Sequence, residues 1–262
     1  MDIDASNWNE DDNANTTAAP DGAPEGMAPS GVNNVLRAIM GALKRRRNWG
    51  APKTTAGTST AYTLAYGVAP GALVDGMTHL VQFNAANGNA PTLNVNSLGA
   101  IPLHIYTPAG WAAAPAGVLT ANMISRVAYH SSSAAYRVLD LNGAGTWTPA
   151  DGSGAGLSFS SVTGHYRIAN GMVLAYFALT FPSTGSSADV TISGLPVTVP
   201  NQDYARIDSL INAGSASTAT LVLRPDKNAA TVKIVNTSTG SNSPNSAWSG
   251  LTIKGCIVYP VT

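Results

Sequence analysis

The chain has 262 residues, a formal net charge of zero and a charged fraction of 11%, where an ordinary soluble domain has roughly 25%. Its single cysteine, Cys256, excludes an internal disulfide and a thiolate metal cluster, and we expect a buried strand thiol there. No apolar run reaches the roughly 18 residues of a membrane span, and the acidic first residues do not form a signal peptide. We therefore expect no membrane insertion, and synthesis in a cytoplasm.

Residues 1–30 carry seven acidic residues and no basic one. With few large apolar side chains, such a segment buries too little surface to offset its ordering entropy, so we expect an extended or disordered arm. Trp8 lies in the polar middle of this arm. Because aromatic side chains supply much of the burial at interfaces, we interpret Trp8 as an anchor for a partner.

Residues 31–49 are predicted to form a short amphipathic helix, with Ser30 as its N-cap. Its apolar stripe advances in alternating steps of four and three residues, as in a coiled-coil seam, at Val32, Leu36, Ile39 and Leu43. Both flanks look like linkers, so self-association through this stripe is favoured over packing on the rest of the chain.

Four consecutive basic residues, Lys44 to Arg47, lie in the last turn of that helix. Cations there are favoured by the helix dipole, whereas a phosphate-binding site would also have interleaved polar and aromatic residues. We therefore expect no nucleic-acid partner.

The remainder of the chain indicates a mainly β fold with two antiparallel β-sandwich-like modules. Residues 50–57 are interpreted as a linker and residues 58–142 as the first module. A Gly-rich linker is expected at 143–156 and the second module at 157–262. The alternating strands predicted for the two modules are 60–66, 78–84, 92–96, 101–106, 123–129, 135–141, 165–169, 172–181, 188–193, 218–223, 231–235 and 251–259. The strand at 172–181 is apolar on both faces and is expected to be central in its sheet.

Catalytic residues are sparse. A glycosidase requires two carboxylates at a defined separation. Beyond residue 25, the one pair of acids close in sequence is Asp203 with Asp208. For these two, positions in a turn and at a strand edge are favoured over a catalytic pair. The four histidines are far apart and lack metal-ligand spacing. We expect no enzymatic activity, no metal and no cofactor.

The N-terminal stretch from Asn7 to Asn48 resembles the virion-proximal segment of bacteriophage tail-fibre proteins, in which a Trp-containing arm, a Pro/Gly turn and an amphipathic helix recur together. The matching positions are Trp8, Pro24, Gly26, Pro29, Ser30, Val32 and Asn33. The resemblance implies that residues 1–30 attach to tail or neck proteins, with contacts at Trp8, Asn9, Asp11, Pro24, Gly26 and Pro29.

The stretches 75–106 and 164–200 also resemble modules of such fibres, the second being similar to fibre-tip β-sandwich domains. The matching tip positions are Tyr166, Gly171, Val173, Leu174, Gly194, Leu195 and Pro196. The resemblance implies an elongated homotrimer in the virion, with a three-helix bundle as its stem and a distal module that binds a host-surface glycan or protein.

Candidate receptor contacts at the tip are Tyr204, Trp248 and Tyr259, with core or inter-subunit positions as the alternative for each. The chain has neither a long shaft nor room for the parallel β-helix of a depolymerising tailspike. An architectural collar, neck or head fibre without host contact is therefore an alternative function. A small polysaccharide-degrading hydrolase is a weaker one.

Overall fold

A computed structural model describes residues 16–18, 23–107, 109–213 and 220–261. The fold is mainly β, with 40% strand and 13% helix in several sheets, which confirms the predicted fold class at this level. The chain divides into two compact units. Unit 1 consists of the described residues up to Ala85 together with Ala90–Ile105 and Ile124–Asp140, and unit 2 of Ala86–Asn89, Tyr106–Met123 and the described residues from Leu141. The segment 106–123, predicted within the first module, thus belongs to unit 2.

Helix α1 spans Pro29–Trp49, and Ala28 with its extended backbone is the N-cap residue. Ser30 is therefore inside the first turn, and its predicted role as N-cap is wrong. The physical reason is Pro29, because a proline at the first helical position has a fitting φ angle and no N–H that would need a partner. The helix ends where the Gly50 N–H donates to the Arg46 carbonyl.

Unit 1 contains a mixed sheet whose strand order is β1-β4-β8-β9-β6-β5-β3-β2. Its strands are β1 (Lys53–Thr54), β2 (Ala56–Gly57), β3 (Ala61–Leu64), β4 (Thr78–Gln82), β5 (Thr92–Val95), β6 (Ala100–Thr107), β8 (Ile124–His130) and β9 (Ala135–Val138). The pairs β1/β4, β3/β5 and β6/β9 are parallel, so the expectation of an antiparallel module is wrong here. The chain leaves β3 for the other half of the sheet at β4 and returns to β5, which places two strands of the same direction side by side. Strands β1 and β2 occupy much of the predicted linker 50–57.

The core of unit 1 follows from the period of two along these strands. In β3, β4 and β5, alternate side chains are buried. Its largest fully buried side chains include Tyr62, Leu64, Phe83, Leu93 and Leu103. The predicted strands of this unit are confirmed, although their partners were not deducible from the pattern.

Unit 2 has two antiparallel sheets, ordered β10-β12-β13-β18-β15 and β11-β14-β17-β16. The strands of these sheets are β10 (Asn142–Thr146), β11 (Ala150–Asp151), β12 (Ser160–Ala169), β13 (Met172–Thr180), β14 (Thr191–Ser193), β15 (Ile211–Asn212), β16 (Leu221–Pro225), β17 (Thr231–Asn236) and β18 (Thr252–Pro260). Strand β7 (Gly110–Ala113) belongs to neither sheet and pairs with β6. Strand β13 lies in the middle of the five-stranded sheet, as its two-sided apolar pattern predicted. The sheets share a core in which Leu223 of β16 and Phe177 of β13 fill the space beside Gly255 of β18.

The Gly-rich segment 143–156 is part of unit 2, and its interpretation as a linker is not supported. Strand β10 pairs along β12, and β11 pairs with β14. Between them, Trp147 is buried and donates its indole N–H to the His165 carbonyl at 3.2 Å. The glycines allow close approach, because the Tyr166 ring occupies the space where a side chain of Gly145 would lie.

Candidate functional site

Helix α1 has an apolar stripe that the described part of the chain leaves uncovered. Val32, Leu36 and Leu43 are 46%, 52% and 56% exposed, and Ile39 is half-buried. These are the four residues of the predicted seam. An amphipathic helix normally buries its apolar face against another element, so this stripe is a candidate interaction surface.

The other end of α1 is fixed to unit 1 by an aromatic cluster. Trp49 is buried, and its ring centroid lies 6.2 Å from those of Tyr66 and His79. The Tyr66 hydroxyl hydrogen-bonds to His79 Nδ1 at 3.1 Å, and the Tyr136 ring meets the imidazole edge-on at 5.9 Å. Because Trp49 belongs to this cluster, the C-terminal end of the helix is packed into the core of unit 1.

His79 is fully buried in the cluster, and its Nε2 has no hydrogen-bond partner among the described residues. Burial, with a smaller contribution from the nearby Arg46 charge, lowers the pKa of His79 to about 4. Burial also raises the pKa of the Tyr66 and Tyr136 hydroxyls. The cluster is therefore uncharged at neutral pH.

The predicted virion-attachment residues fall into two groups. Trp8, Asn9 and Asp11 lie outside the described residues. Pro24 and Gly26 lie at a turn before α1, where Gly26 has a φ of +68°, and Pro29 is the first residue of the helix. The segment 23–27 and the first helical turns together line a cleft of about 340 Å³.

The predicted receptor contacts are not brought together on one surface. Tyr204 is 54% exposed, in a short 3-10 turn. Trp248 and Tyr259 are buried, with Trp248 donating to Ser243 Oγ at 2.8 Å and Tyr259 to the Val197 carbonyl at 3.0 Å. Neither has a free aromatic face, so the expectation of receptor contact is corrected for these two. Their rings belong to the core, which was the alternative interpretation.

Asp203 and Asp208, the two acids that are close in sequence, each form an ion pair with a different basic residue. Asp208 accepts two hydrogen bonds of 2.6 Å from Arg224, whereas Asp203 accepts one of 2.7 Å from Lys227. These hydrogen bonds lower the pKa of both carboxyls. Each carboxylate is thus held in its own ion pair and has no arrangement suited to acid–base catalysis with the other.

Sequence reasoning did not identify a groove on the outer face of the five-stranded sheet in unit 2. This outer-face groove has a volume of about 550 Å³. Its central row is His165 of β12, Tyr176 of β13 and Cys256 of β18, and the next row is Thr163, Ala178 and Lys254. Leu210, which is 83% exposed, and Asn212 border the groove beside β18.

Cys256 lies in a strand, as expected, but is half-buried rather than buried. Its side chain points to the groove because the neighbouring Ile257 and Tyr259 alternate with it and face the core. Partial burial raises the pKa of the Cys256 thiol.

No group of three or more His, Cys, Asp or Glu side chains in the described ranges could hold a metal ion. Among the same residues, no helix is long and apolar enough to cross a membrane.

Comparison with protein-family models and with curated proteins found no match to this chain.

Proposed function

We propose that this protein is a non-enzymatic structural protein of a bacteriophage virion, a trimeric tail fibre that is attached by its N-terminus and recognises the host surface. The observation that carries the proposal is the exposed stripe of α1, Val32, Leu36 and Leu43, on a helix anchored at its far end by Trp49. The same stripe on other copies of the chain can pack against this one, as in a coiled coil. Cyclic symmetry is the usual arrangement by which such copies form a closed oligomer.

The acidic segment before this helix supports attachment to a partner. Residues 1–30 carry seven acids and no base, and segments of this composition gain order on binding. Tail or neck proteins of the virion are the proposed partners, with Trp8 as the aromatic anchor.

The described carboxylates support a binding role over a catalytic one. Asp75 accepts hydrogen bonds from Ser131, Asp151 from Ser153 and Leu157, and Asp203 and Asp208 are ion-paired. When one particle carries many weak binding sites, its overall avidity for the surface is high although each single site binds weakly. We propose a surface glycan or protein as the ligand, with neither cofactor nor metal.

The first experiment is the solution mass of the protein by light scattering. We expect three times the 26.7 kDa of one chain. Because Trp49 is part of the core of unit 1, the seam is tested by the substitutions Leu36→Asp and Leu43→Asp rather than by removing the helix. Arg37→Asp, a charge change on the same helix outside the seam, is the matched control.

The seam variant should lower the mass, or weaken the trimer so that it dissociates on dilution, while the control stays trimeric. A wild-type chain that is monomeric at every concentration would contradict the fibre proposal. Binding of the labelled trimer to a panel of bacteria, and its competition with phage adsorption, test host recognition. A trimer that is incorporated into virions but binds no cell would favour the architectural fibre.

A further inference from the structure

The outer-face groove is lined by polar groups that the fold does not use. Thr163 Oγ1, the Tyr176 hydroxyl, the His165 ring and Lys254 Nζ make no side-chain hydrogen bond or ion pair within the described ranges. One step further along β13 and β18, the hydroxyls of Thr180 and Thr252 are hydrogen-bonded to each other at 2.8 Å. The groove thus presents donors and acceptors to a ligand, whereas the neighbouring pair is already satisfied.

The central row of the groove is an aromatic platform. The rings of His165 and Tyr176 stack with centroids 5.7 Å apart and an interplanar angle of 24°. Tyr176 is 42% exposed. The face of an aromatic ring carries partial negative charge, so it attracts the C–H-rich face of a pyranose ring. Ala178 in the next row is small and leaves space beside the Tyr176 ring.

The charge of the groove selects among sugars. Lys254 lies in the row next to Tyr176, and Arg167 lies on the same outer face one step along β12. The residues that line the groove include no Asp or Glu. A carboxylate on the ligand would therefore gain a charge-assisted hydrogen bond from Lys254 without meeting a like charge in the lining.

We propose that the outer-face groove binds an acidic sugar, a pyranose carrying a carboxylate as in a polyuronate, within a surface polysaccharide. Tyr176 stacks on the ring, Lys254 binds the carboxylate, and Thr163 binds a hydroxyl group. The volume of about 550 Å³ is in the range of small-molecule sites, and the open shape lets a polymer continue beyond the groove. The biological setting rests on the proposed function, because it makes this sugar a part of the host receptor.

Cys256 provides a direct probe of the groove. It is the one cysteine of the whole sequence, so a thiol reagent modifies the full-length protein at this site alone. Because partial burial raises the thiol pKa, alkylation is measured at alkaline pH, where a larger fraction of the thiol is ionised than at neutral pH. Tetragalacturonate is the acidic probe and maltotetraose the neutral control. The acidic probe should slow alkylation in proportion to its occupancy, and maltotetraose at equal concentration should leave the rate unchanged.

Two variants and one control assign the contacts. By titration calorimetry, Lys254→Gln and Tyr176→Ala should each weaken tetragalacturonate binding by about tenfold or more. Lys233→Gln makes the same charge change on β17 of the other sheet and should bind like the wild type. An unchanged alkylation rate without sugar in Lys254→Gln and Lys233→Gln shows that these substitutions leave the groove intact.

Three results would overturn the proposal. The first is a reactive Cys256 with no protection by tetragalacturonate and no heat of binding. The second is a Cys256 thiol that stays unreactive in the native oligomer and becomes reactive on dissociation, since a second copy of the chain then covers the groove. The third is equal binding of tetragalacturonate by the wild type and Lys254→Gln.

Cell binding separates this proposal from the proposed function. If the wild type and both groove variants bind host cells equally, the protein recognises its host through another surface, and the assignment of the groove sugar to the host receptor fails while the fibre proposal stands. If the wild type binds tetragalacturonate but neither binds cells nor joins virions, the groove proposal stands and the fibre proposal fails.

Discussion

Replacement of His79 by glutamine should make unit 1 less sensitive to acid. The side chain is fully buried against Trp49, Tyr66 and Tyr136, and its pKa is lowered from about 6.5 to about 4. An imidazole whose pKa is lower in the folded state destabilises the fold as the pH falls, because the unfolded chain takes up the proton first. The loss begins near pH 6.5 and is complete near pH 4. At 1.36 kcal/mol per pKa unit, this difference corresponds to about 3 kcal/mol of unfolding free energy.

The assay is urea unfolding at several pH values between 4 and 7.5. The variant Val81→Ala truncates a fully buried side chain of unit 1, so the unfolding transition that it destabilises is the transition of that unit. The wild type should lose up to about 1.4 kcal/mol of unfolding free energy per pH unit through this group, and His79→Gln should remove most of that slope. His104 is the matched control, because burial and Arg137 also lower its pKa but it is only half-buried. Replacing it by glutamine should flatten the slope less. Parallel pH profiles for the wild type and His79→Gln would refute the reasoning.

The remaining predictions concern unit 2 and are all checked by urea unfolding at neutral pH. Trp147→Ala should cost about 3–5 kcal/mol, as expected for a buried aromatic residue, whereas unchanged stability would restore the linker interpretation of 143–156. Gly255→Ala should cost about 1–3 kcal/mol, because the added methyl group meets Leu223 and Phe177; a neutral effect would mean that the two side chains move aside at no cost. Asp208→Asn should cost less than about 1 kcal/mol, since its pair with Arg224 is partly exposed, and a loss of several kcal/mol would contradict that estimate.

Alternation of apolar and polar residues was sufficient to locate most of the longer strands. It also placed β13 in the middle of its sheet, although the outer face of this strand is not covered, since Leu174 and Tyr176 are partly exposed. Strand direction and partner were not contained in the pattern. The parallel pair β3/β5 exists because β4 joins the far half of the sheet, and that choice depends on contacts between residues far apart in the sequence.

The segment 143–156 shows why composition alone misled. Its glycines suggested flexibility, but two of them allow close packing. A side chain at Gly143 would meet Thr120, and one at Gly145 would meet the Tyr166 ring. Strand β10 thus forms because β12 pairs with it, and its own sequence has little strand propensity. Trp147 was the available signal, since a tryptophan in a true linker would leave a large apolar surface in water.

The candidate site was missed because aromatic residues were chosen by type rather than by position in the strand. Tyr259 has the same parity as Ile253 and Ile257 in β18 and must face the core with them. Tyr176 has the opposite parity to Val173 and Ala175 in β13, so the same rule places it on the outer face. Parity therefore identifies the one exposed aromatic residue of β13 from the sequence. The groove could not be predicted without the strand order. Strand β18 pairs with β13 although about 80 residues separate Tyr176 from Cys256 in the sequence. This pairing places Lys254 next to the row of His165 and Tyr176.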